Sequence, residues 1–358
     1  MRFIFKTDYA QDLQLFKHSG QAYWYGALAA ALLFVPWLLS PYYVSQLTFV
    51  LIYSIVALGL MLLSGFTGQI SLGHAAFLAV GAYTEGVLAA KGWSFPFSMA
   101  AAAVIAGLVG VIVGTPALRV KGIYLAIATM AFNIIVEEVL ARWESMTGGN
   151  TGLQVGPLAM FGWTAQDERE MYYVALVITA LVTLGVVNLL RSPTGRAFVA
   201  IRDSEISAAS MGINLAFYKS MSFVLSAGIT GIAGALYAHR LRIITPDQFT
   251  VLQSIEMLMM VVIGGLGSIH GAFFGAAFII VLPQLIAVAK DYLPPAIGQA
   301  TGLQPALFGL ILVGFILFEP LGLYGRWVKT RTFFQLFPFF RRGMFRRQKT
   351  FMKSERLR

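Results

Sequence analysis

Long apolar segments separated by short polar stretches occupy the chain from Ala22 to Gly325. Four stretches, Leu28–Leu39, Phe49–Leu63, Ala100–Val113 and Leu307–Phe318, contain no charged residue. A helix of about 20 apolar residues matches the ~30 Å hydrocarbon core of a bilayer at about 1.5 Å per residue. Because lipid offers the backbone no hydrogen-bond partners, each segment must satisfy its own backbone groups. The pattern therefore predicts an all-α, polytopic membrane protein.

The hydropathy pattern predicts ten transmembrane or re-entrant helices. Seven are uninterrupted segments, at 22–39, 44–64, 97–115, 123–140, 171–190, 220–238 and 303–320. Three others, at 70–90, 253–267 and 270–289, are less regular. Segments 70–90 and 253–267 are short or rich in glycine, which is typical of broken or re-entrant helices packed inside a bundle. An even number of spans places both termini on one side of the membrane.

The distribution of basic residues predicts that both termini are cytoplasmic. This orientation puts 20 Lys and Arg residues on the inner side and six on the outer side. The chain then divides into an N-terminal segment (1–21), a membrane domain (22–325) and a basic tail (326–358). The tail holds 11 of the 26 basic residues and one of the 16 acidic residues, so the remainder has 15 of each. The net charge of +10 thus favours contact with anionic lipid head groups over nucleic-acid binding.

Composition limits the chemistry that the chain itself can perform. Charged residues make up 12% of the sequence, compared with roughly 25% in an ordinary soluble domain. The absence of cysteine excludes disulfides and thiolate sites. No Gly-Lys pair occurs, so the chain lacks the phosphate-binding loop of common ATPases. We expect no cofactor and no enzymatic activity in this chain, and any ATP would be bound by partner subunits.

Two polar loops are longer than the turns between the other segments. The outer loop, 141–170, contains the turn sequence TGGNTG at 147–152. In the inner loop, 191–219, apolar residues recur at helical spacing between Arg196 and Met211, and Gly212 follows at a typical helix end. The sequence therefore predicts one short helix lying across the cytoplasmic mouth of the bundle. A solvated amphipathic connector is the alternative.

Several sequence blocks are similar to those of LivM-type permeases, which are subunits of branched-chain amino acid ABC importers. They occur in the order of that family and together cover about residues 45–325. The blocks are GFTGQISLGHAAF at 65–77, TPALRVKGIYLAIAT at 115–129, the turn at 147–152, the loop from Gly195 to Gly212, and GGLGS at 264–268 followed by Gly271 and Gly275.

This resemblance implies a permease subunit that forms the translocation path for Leu, Ile and Val in a bacterial cytoplasmic (inner) membrane. The implied partners are a second homologous permease of the LivH type, two cytoplasmic ATPase subunits and an extracytoplasmic solute-binding protein. The inner loop resembles the permease loop that engages the ATPases in this family. In that loop Glu-Ala-Ala is usually contiguous, whereas here two residues separate Glu205 from Ala208 and Ala209. The residues implied for this contact are Arg196, Glu205, Ala208, Ala209 and Gly212.

Six residues are candidates for the translocation path: Gly65, Gly68, Gly73, Glu85, Asn133 and Glu256. The glycines lie where a broken helix exposes N–H groups that would suit a substrate carboxylate. The ionisable residues are costly inside a membrane and are therefore functional candidates, able to meet a substrate ammonium. Close helix packing by the glycines and structural hydrogen bonding by the polar residues are the alternatives.

Other readings of the sequence remain open. Permeases for urea, short amides or other amino acids have closely similar sequences. A protein of a different class, an ion-coupled secondary transporter working alone, would use Glu85, Glu137 or Glu256 as proton or cation sites. His74 and His270, each beside glycines, are expected to be hydrogen-bonding groups, since no ligand spacing for a metal is present.

Overall fold

The computed structural model describes residues 19–117, 120, 122–290, 303–318 and 322–336. These residues contain 14 α-helices, four two-residue strands, one π-helix and two 3₁₀ turns. The helices are α1 (Ser19–Leu38), α2 (Pro41–Leu60), α3 (His74–Ala90), α4 (Phe95–Ala117), α5 (Ile123–Arg142), α6 (Glu144–Thr147), α7 (Glu168–Arg191), α8 (Pro193–Asp203), α9 (Glu205–Ser210), α10 (Leu215–Leu241), α11 (Val251–Gly264), α12 (Ile269–Lys290), α13 (Leu303–Phe318) and α14 (Gly322–Leu336).

The prediction of an all-α polytopic protein is confirmed. Within the described residues, seven helices are long and apolar enough to cross a membrane: α2, α4, α5, α7, α10, α12, and α11 with the turn before it. Helices α1 and α13 contain shorter apolar stretches, and α3 has 17 residues. Each predicted segment therefore corresponds to one apolar helix. Residues 337–358, which carry most of the basic tail, lie outside the described residues.

Helix α10 lies at the centre of the bundle, packed against α2, α3 and α4. Small residues allow this close approach. A Cβ on Gly110 of α4 would lie 2.8 Å from the Cβ of Ala227 on α10, and one on Gly231 of α10 would lie 2.6 Å from the Cβ of Ala106. Such contacts bring two backbones together without side chains between them. Gly110 and Gly231 are therefore helix-packing residues.

Two helices are interrupted near the inner side. Helix α2 continues into a π-helix (Met61–Phe66), and an irregular stretch, 67–73, leads to the start of α3. Helix α11 ends at Gly264 and a glycine-rich turn, 265–268, leads to α12. Breaks at membrane depth occur where protein surrounds them. Segments 70–90 and 253–267 are thus shorter helices next to a break, as the glycine content indicated.

Loops that the charge distribution places on the outer side lie together. Strand β1 (Leu153–Gln154) pairs antiparallel with β4 (Ile243–Ile244), and β2 (Ala159–Met160) pairs with β3 (Trp163–Thr164). On the inner side, α8 contacts the π-helix and α10. The strands within the described residues are confined to these loops.

The prediction of one helix from Arg196 to Met211 is wrong. Ser204 separates two helices, α8 and α9, and has an extended backbone with φ −163° and ψ 113°. Its hydroxyl accepts a hydrogen bond from the Ser207 N–H at 3.3 Å, which caps α9. The apolar period does not continue as burial across the break, because Phe198 and Ile201 are buried on α8 whereas Ile206 and Ala209 are exposed on α9.

Candidate functional site

The inner loop is a series of individually capped helices. The Ser192 hydroxyl accepts from the Gly195 N–H at 3.4 Å at the start of α8. The Asn214 side chain accepts from the Phe217 N–H at 3.1 Å at the start of α10. Between them, α9 ends in a Schellman motif at Gly212, whose φ of +83° suits glycine. Caps at each end fix the loop in one conformation, which a solvated connector does not require.

Helix α9 is tied to the bundle by an ion pair. Lys219, a buried residue on α10, donates to Glu205 Oε1 at 2.7 Å. Ala208 is buried beside it, whereas Ala209 is exposed. Ile206 and Met211 are 84% and 83% exposed on this helix and its C-terminus. The loop therefore presents apolar side chains outward on a rigidly held helix.

The other two residues of the implied coupling set also lie at the surface of this loop. Arg196 is exposed, and its guanidinium donates to the Arg191 carbonyl oxygen at 3.1 Å. Gly212 is exposed, and a Cβ added there would meet nothing within 4 Å. A side chain at Gly212 would therefore act through backbone strain alone.

The glycine-rich stretch after the π-helix is packed tightly. A Cβ on Gly65 would lie 2.8 Å from the Gly267 N atom, and a Cβ on Gly73 would lie 2.5 Å from the Thr129 carbonyl oxygen. Gly68 has φ +76°. These three candidates for the path are positions where the backbone itself is in contact with a neighbouring segment.

The N–H groups at the start of α3 are already bonded. Leu72 donates to Thr129 Oγ1 at 2.9 Å, Gly73 to Ser71 Oγ at 3.3 Å, and Ala75 to Ser254 Oγ at 2.9 Å. The expectation that this break exposes N–H groups for a substrate carboxylate therefore does not hold in this conformation, because side-chain oxygens occupy them.

Asn133 belongs to the same buried network. Its Nδ2 donates to the Phe249 carbonyl oxygen at 3.0 Å, and its Oδ1 accepts from Ser254 at 3.2 Å. Ser254 in turn receives the Ala75 N–H. The amide thus joins α5 to the N-terminal ends of α3 and α11, which fits the structural alternative for this residue.

Glu256 is the path candidate that borders a cavity. The cavity has a volume of about 280 Å³ and lies between α2, α11, α12 and α13. The Gln46 and Gln284 amides line it together with the Glu256 carboxylate, and Phe49 and Ile279 are among its apolar walls. A carboxylate, amides and apolar surface are complementary to a zwitterionic solute with an aliphatic side chain.

Glu85 is buried and has a basic partner. Its Oε1 accepts from Ser98 at 2.7 Å and lies 2.9 Å from His239 Nε2. His239 Nδ1 lies 3.0 Å from the Gly156 carbonyl oxygen in the outer loop. Glu85 is 0% exposed, so in this conformation it connects α3, α4 and α10 and is not accessible to a solute.

His239 was missed because the sequence pattern ends the span at residue 238, whereas α10 continues to Leu241. His74 is also fully buried, 3.0 Å from Ser71 Oγ and 2.8 Å from Ser226 Oγ. His270 contacts the Tyr25 hydroxyl at 2.7 Å. The hydrogen-bonding role predicted for the two histidines is confirmed, and the described residues contain no cluster of three metal-binding side chains.

Comparisons with known proteins agree with this architecture. The family described as branched-chain amino acid transport system, permease component, matches residues 42–318. The LivM permease proteins of Escherichia coli K12 and Salmonella typhimurium are 33% and 32% identical over 282 residues, covering 72% of this chain and 66% of each relative. The LivH permease protein of Escherichia coli K12 is 23% identical over 295 residues, covering 76% and 91%.

No solved structure matches this chain significantly. The chain spans about two thirds of the length of the LivM relatives. The family match covers the described bundle from α2 to α13, including both breaks and the inner loop. The chain therefore belongs to the family of permease components of branched-chain amino acid transport systems.

Proposed function

We propose that this chain is a translocation subunit of an ATP-driven importer for Leu, Ile and Val in the cytoplasmic membrane of a prokaryote. It works with a second homologous permease, two cytoplasmic ATPases and an extracytoplasmic solute-binding protein. The binding protein docks on the outer loops, including 141–170, and the ATPases act on α8 and α9. The subunit itself hydrolyses nothing. Family membership supports the transport role.

The rigidly held helix α9 is the observation that carries the coupling role. Ile206 and Met211 are more than four-fifths exposed although they lie on a helix fixed by caps and an ion pair. Exposed apolar side chains on a fixed helix offer a partner subunit an apolar surface to cover. A partner that displaces α9 would move α10 through the Glu205–Lys219 pair. Because α10 lies at the centre of the bundle, its motion would reach the other helices.

Purification from the native membrane through a C-terminal tag tests the proposal. We expect a second permease and two ATPase subunits to co-purify, and the reconstituted complex to take up radiolabelled leucine only with ATP and the binding protein. Competition by urea, short amides and other amino acids would define the substrate class. If the chain purified alone and moved solute without ATP, it would be a secondary transporter, and the proposal would be wrong.

Reversal of the charge at Glu205 should uncouple the loop. Glu205→Lys places a second cation beside the buried Lys219. We expect leucine uptake to fall about fivefold, which corresponds to a coupling free energy of about 1 kcal/mol. The exchange Glu205→Lys with Lys219→Glu restores an ion pair and is the matched control. ATPase co-purification and leucine uptake are measured for both. Equal uptake by Glu205→Lys and wild type would contradict the coupling role.

Neutralising Glu256 tests the cavity as part of the path. Glu256→Gln preserves size and hydrogen bonding but removes the charge, so we expect about threefold slower leucine uptake, on the order of one lost charge contact at this half-buried carboxylate. Assembly and basal ATP hydrolysis should not change. Glu138→Gln, an exposed carboxylate paired with Arg142 on α5, is the control. Uptake unaffected by Glu256→Gln would exclude the cavity from the path.

A further inference from the structure

The two helix breaks meet each other on the inner side. The Gly267 N–H, in the turn between α11 and α12, donates to the Met61 sulfur at 3.2 Å. Gly65, at the end of the π-helix, approaches Gly267 so closely that a Cβ would lie 2.8 Å from its N atom. The inner ends of α2, α11 and α12 therefore form one contact, in which the Gly65 and Gly267 backbones meet beside the Met61 side chain.

Arg202, the penultimate residue of α8, lies in this contact. Its Nη1 donates to the Gly65 carbonyl oxygen at 3.1 Å. A Cβ on Gly267 would lie 2.9 Å from the same Nη1, and one on Gly68 would lie 3.2 Å from Arg202 Cγ. One side chain from the inner loop thus touches both breaks.

The guanidinium is held in this orientation. Its Nε and Nη2 atoms donate to Asp203 Oδ1 at 3.2 and 3.1 Å, which leaves Nη1 directed at Gly65. The planar fork of arginine can make both contacts at once, which an ammonium group cannot. Phe198 and Ile201 on α8 are buried, so α8 is packed against the bundle. Arg202 belongs to α8 and therefore moves when this helix moves.

Glycine is required at the two contacted turns for a backbone reason as well. Gly68 has φ +76° and Gly267 has φ +80°, a region that other residues rarely adopt. The contact thus combines two left-handed glycines with one arginine from α8. A solvated surface arginine would need no such match.

We propose that Arg202 is a positioning residue that joins the coupling helices α8 and α9 to both helix breaks. Displacement of α8 then moves the inner ends of α2, α11 and α12 as one unit. This inference rests on the proposed function, because it needs ATPases that act on the loop. It names the contact by which their motion reaches the membrane helices.

Removal of the guanidinium should uncouple hydrolysis from transport. Arg202→Met keeps most of the side-chain length, and we expect assembly and ATP hydrolysis to persist while leucine uptake per ATP falls about fivefold. Arg202→Lys keeps the charge and should recover part of this ratio. Arg331→Gln, which removes an exposed cation from α14, should leave the ratio unchanged. An unchanged ratio in Arg202→Met would overturn the proposal.

A covalent link tests the same contact without relying on one variant. The Cβ of a residue at 68 would lie 3.6 Å from the Arg202 Cβ, within the range of disulfides, and the chain has no native cysteine. In Gly68→Cys with Arg202→Cys, the reduced and the oxidised protein both carry the strain of a side chain at φ +76°, so the two are compared only with each other, and we expect oxidation to raise uptake per ATP above that of the reduced protein. Lower uptake after oxidation would mean that the two segments must separate, which overturns the proposal.

Failure of the proposed function and failure of the inference about Arg202 are observed in different samples. The former would appear in the wild-type chain, as uptake without ATP or as absence of ATPases from the purified complex. The inference about Arg202 fails when the wild type couples hydrolysis to uptake and either the Arg202 variants do so equally well or the disulfide between positions 68 and 202 lowers uptake.

Discussion

Gly275→Ala is expected to prevent the chain from accumulating as folded protein. A Cβ at this position on α12 would overlap the Met260 carbonyl oxygen on α11, and Gly264 and Gly271 cross at a similarly close approach one turn away. The Met260 carbonyl is a backbone group, so no change of side-chain rotamer can relieve the overlap. Overpacking of this kind costs about 3 kcal/mol, which lowers the ratio of folded to unfolded protein roughly a hundredfold.

Gly185→Ala is the matched control for this prediction. Gly185 lies on α7, and a Cβ there would meet nothing within 4 Å. Alanine favours helix by about 1 kcal/mol over glycine, so this variant should be as stable as the wild type. Yield and thermal aggregation of detergent-purified protein are measured for each. Equal stability of Gly275→Ala and Gly185→Ala would show that α11 and α12 do not pack backbone to backbone.

The helices of this fold could be predicted because lipid imposes one simple requirement on the sequence. Each segment needs a continuous apolar run, and each predicted run corresponds to one helix. Glycines four residues apart on one helix face, such as Gly271 and Gly275, are typical of close helix packing, and both lie against the α11 backbone. The boundaries were less accurate, since a hydropathy pattern does not show that α10 continues past residue 238.

Tertiary partners were not predictable, because they come from distant parts of the chain. Glu85 and His239 are 154 residues apart, and Arg202 and Gly65 are 137 residues apart. No local spacing relates either pair. The break at Ser204, unlike these pairs, has a local signal in the sequence. Serine is a preferred N-cap residue, and an acidic residue such as Glu205 is typical of the first turn of a helix. That signal was available, but the continuing apolar period concealed it.

Glu85→Leu is the second substitution for which we expect a large effect. His239 and Ser98 would each lose a buried partner at Glu85. A buried group left without its partner costs about 1–3 kcal/mol when it is neutral and about 3–5 kcal/mol when it is charged. We expect the purified variant to aggregate at a markedly lower temperature. The outer loop should also lose order, since His239 holds the Gly156 carbonyl.

The partners of His239 fix the proton count of this pair. A carbonyl oxygen only accepts, so Nδ1 must donate to Gly156. The contact between Nε2 and Glu85 Oε1 then needs one proton, carried either by the imidazole or by the carboxyl group. The pair is neutral overall in both cases, which is what burial in a membrane favours. Glu85→Gln can donate its amide hydrogen to Nε2 and should therefore be nearly as stable as the wild type.

The combined variant separates a structural role from a transport role. Glu85→Leu with His239→Leu removes both polar partners, so it should recover much of the stability that Glu85→Leu loses. A structural pair predicts this non-additive recovery, with leucine uptake following the amount of folded protein. If Glu85→Leu were instead as stable as the wild type while uptake collapsed, Glu85 would act on the solute, as its position within a span first suggested. The pair would then open during transport, and the buried arrangement would represent its resting state.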